Sequence, residues 1–260
     1  MKIRFIIIII MFGLFAASCG NNKVRIALSK GVGSVNYELY GKWMKSYDPD
    51  IEIVNLFGLN TSDAAAKLKE CDGLVLTGGP DVHPAYFNME SDTARCSIEP
   101  YRDSLEFELI KISGEMNIPV LAVCRGAQIM NVAMGGNLII DIPDDTESEI
   151  PHQVAGEDVF HNIQVTENSL LHALSESLFG TVNSNHHQAV GRLADVFEVS
   201  AKTSDGIIEA YEYKDKSKPF FVAIQWHPER LDSDSRFSEP IGAAFVKAVK
   251  SNKQKLAAAK

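Results

Sequence analysis

Four cysteines in 260 residues are too few for a disulfide scaffold. Positive charge is also short: 25 Lys and Arg stand against 34 Asp and Glu, and the formal charge of −9 argues against a nucleic-acid-binding surface. There is no basic run, no low-complexity tract and no repeat of fixed period, which speaks against solenoids and disordered tails. Neither a GxGxxG nor a P-loop spacing occurs, so nucleotide binding has no support. No linker rich in Pro, Gly or Ser divides the chain, and one domain is expected. What remains is ordinary for a globular protein: 45% hydrophobic, 23% charged and long enough for one large α/β domain.

The N-terminus reads differently from the rest. Lys2 and Arg4 precede an apolar run from Phe5 to Ala17, which closes on the small residues Ala16 and Ala17 and is followed by Ser18. Those are the marks of a secretory signal, and the run is shorter than the roughly 20 residues of a membrane-spanning helix. Cys19 comes next, as in a bacterial lipoprotein lipobox, although Ala16 stands where Leu is usual. The expectation is a signal peptide over 1–18, a lipidated Cys19 with a short tether to residue 23, and a cell-envelope location. A simple cleaved signal and an uncleaved anchor are the alternatives. Loss of 1–18 removes Lys2 and Arg4 but no acid, taking the charge from −9 to −11. So acidic a body is not drawn to anionic lipid, and any tether is the lipid itself.

Short β-branched runs alternate with helical stretches through the next part of the chain. Strands are expected at Val24–Leu28, Ile51–Leu56, Gly73–Leu76 and Pro119–Val123, with helices at Asn36–Tyr47, Ser62–Glu70, Arg102–Met116 and Gly126–Met134. That alternation implies βαβ units in a doubly wound, mostly parallel sheet flanked by helices, an α/β fold. From about Asn137 shorter β-like pieces follow: Val159–Val165, Val196–Ala201, Ile207–Tyr213 and Phe220–Gln225. Helices are expected at Ser169–Leu178 and Glu239–Ser251. The polar segment Pro80–Pro100 is long for a connection, as loops that line a site often are.

Three pieces carry chemistry, and each directly follows an expected strand. Cys124-Arg125-Gly126 joins strand to helix as a nucleophile elbow does, with the small residues Ala122 and Gly126 two positions either side. A helix N-terminus there favours the thiolate, and its backbone N–H groups can hold an oxyanion. A cysteine that merely packs in the core is the plain alternative. Gln225-Trp226-His227-Pro228-Glu229 offers an imidazole and, two residues on, a carboxylate to orient it; taken alone, it also reads as a surface histidine beside a glutamate. Thr77-Gly78-Gly79-Pro80-Asp81 offers a glycine turn whose backbone can approach a substrate. In open α/β sheets such sites gather at the carboxyl edge of the strands.

The segments LTGGPDVHP (76–84), RDSLEFELI (102–110), PVLAVCRGAQIMNVAMGG (119–136), VNSNHHQAV (182–190), DGIIEA (205–210) and VAIQWHPE (222–229) resemble class I glutamine amidotransferase-like proteins. More closely, they resemble the γ-glutamyl-γ-aminobutyrate hydrolase group, peptidase family C26. The resemblance spans about 24–250, leaving 251–260 as a tail, and implies a flavodoxin-like single domain. It implies Cys124 as nucleophile, His227 as general base and acid, and Glu229 as its orienting carboxylate. It also implies backbone N–H groups of Gly79 and Arg125 as the oxyanion hole, Gln128 in the γ-glutamyl pocket, and His186 and His187 near the substrate. No cofactor is implied. The expected reaction is hydrolysis of γ-glutamyl amides through a thioester; an ammonia-supplying amidotransferase and a silent γ-glutamyl-binding protein are the alternatives.

His83, His152, His161 and His172 lack HxH or HxxxH spacing, and no metal site is expected. Arg95, Arg102 and Arg125 are candidates for holding a substrate carboxylate, with surface ion pairing expected of the first two. Export would permit a disulfide between Cys71 and Cys96.

Overall fold

The computed structural model describes residues 23–258. The expected signal peptide and Cys19 lie outside them. Among the described residues no helix is long and apolar enough to cross a membrane.

The first half alternates as its pattern requires: β1 (Arg25–Leu28), α1 (Val35–Tyr47), β2 (Glu52–Asn55), α2 (Thr61–Leu68), β3 (Gly73–Leu76), α3 (Pro100–Met116), β4 (Val120–Val123) and α4 (Arg125–Ala133). The second half holds β5 (Leu138–Ile139), α5 (Ile142–Asp145), β6 (Val159–Val165), α6 (Leu170–Ser175), β7 (Phe179–Ser184), β8 (Ala189–Val190), β9 (Phe197–Lys202), β10 (Ile208–Tyr213), β11 (Phe221–Ile224) and α7 (Glu239–Ala258). Helix starts follow local chemistry. Ser34 Oγ accepts from the Tyr37 N–H and Asn60 Oδ1 from the Asp63 N–H, while Pro100 opens α3 and Asn117, at φ 54°, closes it.

All strands join one sheet in the order β2-β1-β3-β4-β11-β10-β9-β6-β7, with β8 paired to β10 and β5 to β8. β2, β1, β3, β4 and β11 run parallel. The remaining pairings are antiparallel, so the sheet is mixed, its parallel strands confined to one half. Within the parallel half, alternate residues enter opposite layers. Ala27, Leu74, Leu76, Val120, Ala122 and Ala223 pack with α2, α3 and α4. Ile26, Leu28, Val75, Leu121, Val123, Val222 and Ile224 pack with α1 and α7. Both faces are covered, which explains why these strands are apolar throughout.

Several boundaries move. α6 stops at Ser175 rather than Leu178 because Glu176 turns left-handed, φ 51°. α7 continues to Ala258, so most of the expected tail 251–260 is helix. The Pro80–Pro100 connection carries two 3-10 turns, Pro84–Phe87 and Glu90–Arg95, and is pinned where Asp81 Oδ2 accepts from the Ser97 N–H at 2.7 Å. Cys71 and Cys96 are free thiols, not a disulfide.

Candidate active site

The three chemical segments end three neighbouring strands, β3, β4 and β11. Register brings them level: Leu76 pairs with Ala122, and Val123 with Ile224. The ladder carries on one step further, the Cys124 N–H donating to the Ile224 carbonyl at 2.8 Å. The chain then turns sharply. Cys124 sits at φ 52° and ψ −111°, rare for a residue with a side chain, and α4 begins at Arg125. Room for the turn comes from Gly126, where a Cβ would collide with the Leu76 carbonyl.

His227 is buried beside Cys124. Its Nδ1 donates to Glu229 Oε1 at 2.8 Å, which directs Nε2 toward the sulfur. Burial disfavours an imidazolium, but the charges of Cys124 and Glu229 outweigh it and push the His227 pKa up to about 10. Asn183 grips the His227 backbone at both ends of the peptide: its Nδ2 donates to the carbonyl and its Oδ1 accepts from the N–H, each at 3.0 Å. On the third side, the Tyr40 hydroxyl lies 3.3 Å from His227 Nδ1 and accepts from the Gly78 N–H at 3.0 Å. Only glycine fits at 78, since a Cβ would lie 2.8 Å from both His227 Cε1 and the Tyr40 hydroxyl.

Gly79 stands across the cavity from the elbow, and a Cβ there would collide with the Arg102 guanidinium. The Arg125 N–H is the first of α4 and has no acceptor within the helix. Two adjoining cavities, of about 300 and 230 Å³, meet at Gly79 and Cys124. The first opens toward Tyr37, Asn185 and Arg230, the second toward Gln128, His187 and Gln188. A larger cavity of about 420 Å³ lies elsewhere, among Ile110, Met130, Tyr213 and Phe221, and holds neither Cys124 nor His227.

Several expected residues take other parts. The Arg125 side chain is wholly buried and ion-paired to Asp103 and Glu106, so it cannot reach a substrate carboxylate. Arg102 is equally buried rather than a surface ion pair. Its Nη2 donates to the carbonyls of Thr77 at 2.9 Å and Gly78 at 2.7 Å, and its Nε to Glu106 at 3.0 Å. Arg95 does form the expected surface pairs, with Asp92 and Asp145. Gln128 borders the cavity, but its Nε2 already donates to the Gln188 carbonyl at 2.9 Å.

His186 and His187 face opposite ways, and both border the second cavity. His187 bridges Asp81 at 2.9 Å and Asp141 at 3.0 Å, and the hydrogen bond to Asp81 leads the effects that raise its pKa to about 9. Its nitrogens are therefore committed to scaffolding rather than to a substrate. His186 is turned away, toward Glu209 on β10, where His152 and His161 also converge. The histidines read as scattered are thus partly gathered by the fold: His152, His161 and Glu209 each place one donor atom within 4.8 Å of the others. Tyr40 and Asn183 were not singled out from the sequence, and Arg102 was read there for other parts than anchoring the Thr77 and Gly78 carbonyls. Asn183 lay within the quoted VNSNHHQAV segment, whereas Tyr40 carries no local signal.

A thiol on a strained elbow, an imidazole–carboxylate pair and a glycine turn, on adjacent parallel strands, mark the class I glutamine amidotransferase-like architecture. Solved structures agree on the fold. The glutaminase domain of Trypanosoma brucei CTPS with bound acivicin superposes with a TM-score of 0.63 at 18% identity, over 88% of this chain and 94% of that one. A glutamine amidotransferase from Methylobacillus flagellatus gives 0.53 at 16% identity, over 90% and 94%. Within that class the chain belongs to the Peptidase C26 family, whose model matches residues 52–229. It is similar to YvdE of Lactococcus lactis, whose name calls it glutamine amidotransferase-like, with 38% identity over 178 residues covering 67% of this chain and 73% of the relative. It is also similar to the gamma-glutamyl-gamma-aminobutyrate hydrolase PuuD of Escherichia coli K12, with 32% identity over 192 residues covering 70% and 73%. Family membership supports a γ-glutamyl amide hydrolase or glutamine amidotransferase-like role.

Proposed function

We propose that this chain is a cysteine hydrolase of γ-glutamyl amide bonds. One observation carries the reading: Cys124 is held at a strained elbow beside an imidazole that Glu229 keeps oriented at 2.8 Å. The Cys124 thiolate attacks the γ-carbonyl carbon. Negative charge developing on the carbonyl oxygen is met by the N–H groups of Gly79 and Arg125. His227, charged at neutral pH, gives its proton to the departing amine as the C–N bond breaks, leaving a γ-glutamyl thioester. Neutral His227 then takes a proton from water, which attacks the thioester. Glutamate leaves, and thiolate and imidazolium are restored. Gln128 lines the pocket for the glutamyl chain, while His186 and His187 shape its wall.

Purified chain lacking residues 1–18 is expected to release p-nitroaniline from γ-glutamyl-p-nitroanilide, and Cys124→Ala to lose at least about 10³-fold in kcat/KM. Ordinary hydrolysis by Cys124→Ala would sink the mechanism. A panel of γ-glutamyl amines, γ-glutamyl peptides, polyglutamates, γ-D-glutamyl peptidoglycan fragments and L-glutamine then identifies the substrate. The small-molecule substrate is joined in this reading by an envelope address, with Cys19 lipidated. The mass of the N-terminal peptide from membrane fractions tests that address.

A further inference from the structure

Four buried side chains that the proposed reaction does not use meet behind the cavity wall. His152, His161 on β6 and Glu209 on β10 each present one donor atom, all within 4.8 Å of one another. His186 faces the same carboxylate but lies outside that 4.8 Å group. Glu209 Oε1 is the common focus: His152 Nδ1 lies 3.6 Å away, His161 Nε2 3.4 Å and His186 Nε2 3.5 Å. None of the four residues is more than 5% exposed. None of those donor atoms has a hydrogen-bond partner, and neither does Glu209 Oε2.

Outer partners fix two of the tautomers. His152 Nε2 contacts Asp205 Oδ2 at 3.0 Å, and His186 Nδ1 contacts the Gln188 carbonyl at 2.9 Å. An ionised carboxylate and a carbonyl only accept, so these nitrogens carry the ring protons. The opposite nitrogens, bare in a neutral ring, point at a carboxylate oxygen. Lone pairs facing lone pairs in a dry interior are unfavourable unless a cation lies between them. Metal-bound histidines show the same outward hydrogen bond, to a carboxylate or backbone carbonyl.

We propose that His152, His161 and Glu209 bind one divalent transition-metal ion, zinc by preference, with His186 Nε2, 3.5 Å from the same Glu209 oxygen, moving in as the fourth ligand. Donor atoms at tetrahedral zinc, with bonds of about 2.0–2.2 Å, lie roughly 3.3–3.6 Å apart. The separations on Glu209 Oε1 match that edge length. They are too long for charge-assisted N–H to carboxylate bonds, which run at about 2.7–2.9 Å, so extra protons on the rings fit less well. With His186 drawn in, three imidazoles and one carboxylate would close the set with no open position, the pattern of a structural site. Its role follows from chain neighbours: Gln153 and Asn185 border the catalytic cavity and adjoin ligands His152 and His186. The ion fastens that wall to β6 and β10.

Metal content of the tag-free chain, folded and purified without chelator, tests this independently of hydrolysis. One equivalent of zinc per chain is expected, or one after refolding with zinc sulfate, together with a rise in Tm of several degrees. Cobalt(II) in its place should give the intense visible bands of a tetrahedral ion, and X-ray absorption should show an imidazole-rich shell. Glu209→Gln and His161→Gln should lose the metal, while His172→Ala keeps it. Should either variant fail to fold, the wild-type spectra still decide. A wild-type chain that is natively folded yet metal-free, both as purified and after refolding with zinc, would overturn the proposal.

Discussion

His227 Nδ1 and Glu229 Oε1 are 2.8 Å apart with only Pro228 between the two residues in sequence. The contact depends on the short 3-10 turn at Pro228–Arg230, which folds the carboxylate back beneath the ring. Glu229 does two things for the imidazole: it fixes the tautomer, and its charge helps to hold the ring protonated up to about pH 10.

Glu229→Gln keeps the shape and removes the charge. Hydrolysis of γ-glutamyl-p-nitroanilide should fall by roughly 10²–10⁴ in kcat, with a much smaller change in KM. His227 is a group with a raised pKa, so its protonated form is present below that value and is lost as pH rises through it. The alkaline limb of the pH–rate profile should therefore move to lower pH in the variant. An unmoved limb would show that the carboxylate does not support the imidazolium.

Gly78→Ala places a methyl 2.8 Å from His227 Cε1 and the Tyr40 hydroxyl. Overpacking of this kind costs about 1–3 kcal/mol, which a chain this size should survive. The damage should appear in rate, since displacing the imidazole by a fraction of an ångström misplaces proton transfer. A loss of about 10² in kcat/KM, with an unchanged circular dichroism spectrum, is expected.

Asp81→Asn probes His187. The His187 pKa is raised to about 9 from an ordinary 6.5, led by the hydrogen bond to Asp81. Stability from that shift is fully present below about pH 6.5 and is lost as pH rises through 9. Wild type should exceed the variant by about 1–2 kcal/mol at pH 6, a figure reduced for solvent screening of a partly exposed ring. Urea titrations at pH 6 and pH 9.5 should show the gap closing; a gap that widens with pH would refute the assignment.

Arg125→Met leaves Asp103 and Glu106 buried without their partner. Loss of one member of a buried ion pair costs about 3–5 kcal/mol, so soluble yield and Tm should both drop. Arg125→Lys should recover only part, because an ammonium cannot serve two carboxylates as a planar guanidinium does. Thermal unfolding of both variants beside wild type checks the order.

The parallel half of the fold was legible because its strands are apolar on both faces and each is followed by a long amphipathic or buried helix. The antiparallel half was less so. β7 escaped notice because Phe179 is exposed and Gly180 interrupts the run, leaving Val182 as its one buried aliphatic residue. β5 and β8 are two residues each, below any periodic signal. At the site, Cys124, His227 and Glu229 could be read because strand ends announce them. Tyr40 could not, since it reaches the site from α1 through a hydroxyl whose partner is a backbone N–H 38 residues away. The buried histidines failed for a similar reason: they come from separate segments, and only strand pairing in the antiparallel half assembles them around Glu209.

α3 borders neither of the two cavities that meet at Cys124, yet it works as a caliper for them. Its own Arg102, braced by Glu106 one turn on, holds the Thr77 and Gly78 carbonyls, and Glu106 also pairs with Arg125, whose backbone begins α4. The gap between Gly79 and the elbow is thus set by a charged rod behind both. A change at residues 102–106 would then retune the spacing of the site from outside both cavities.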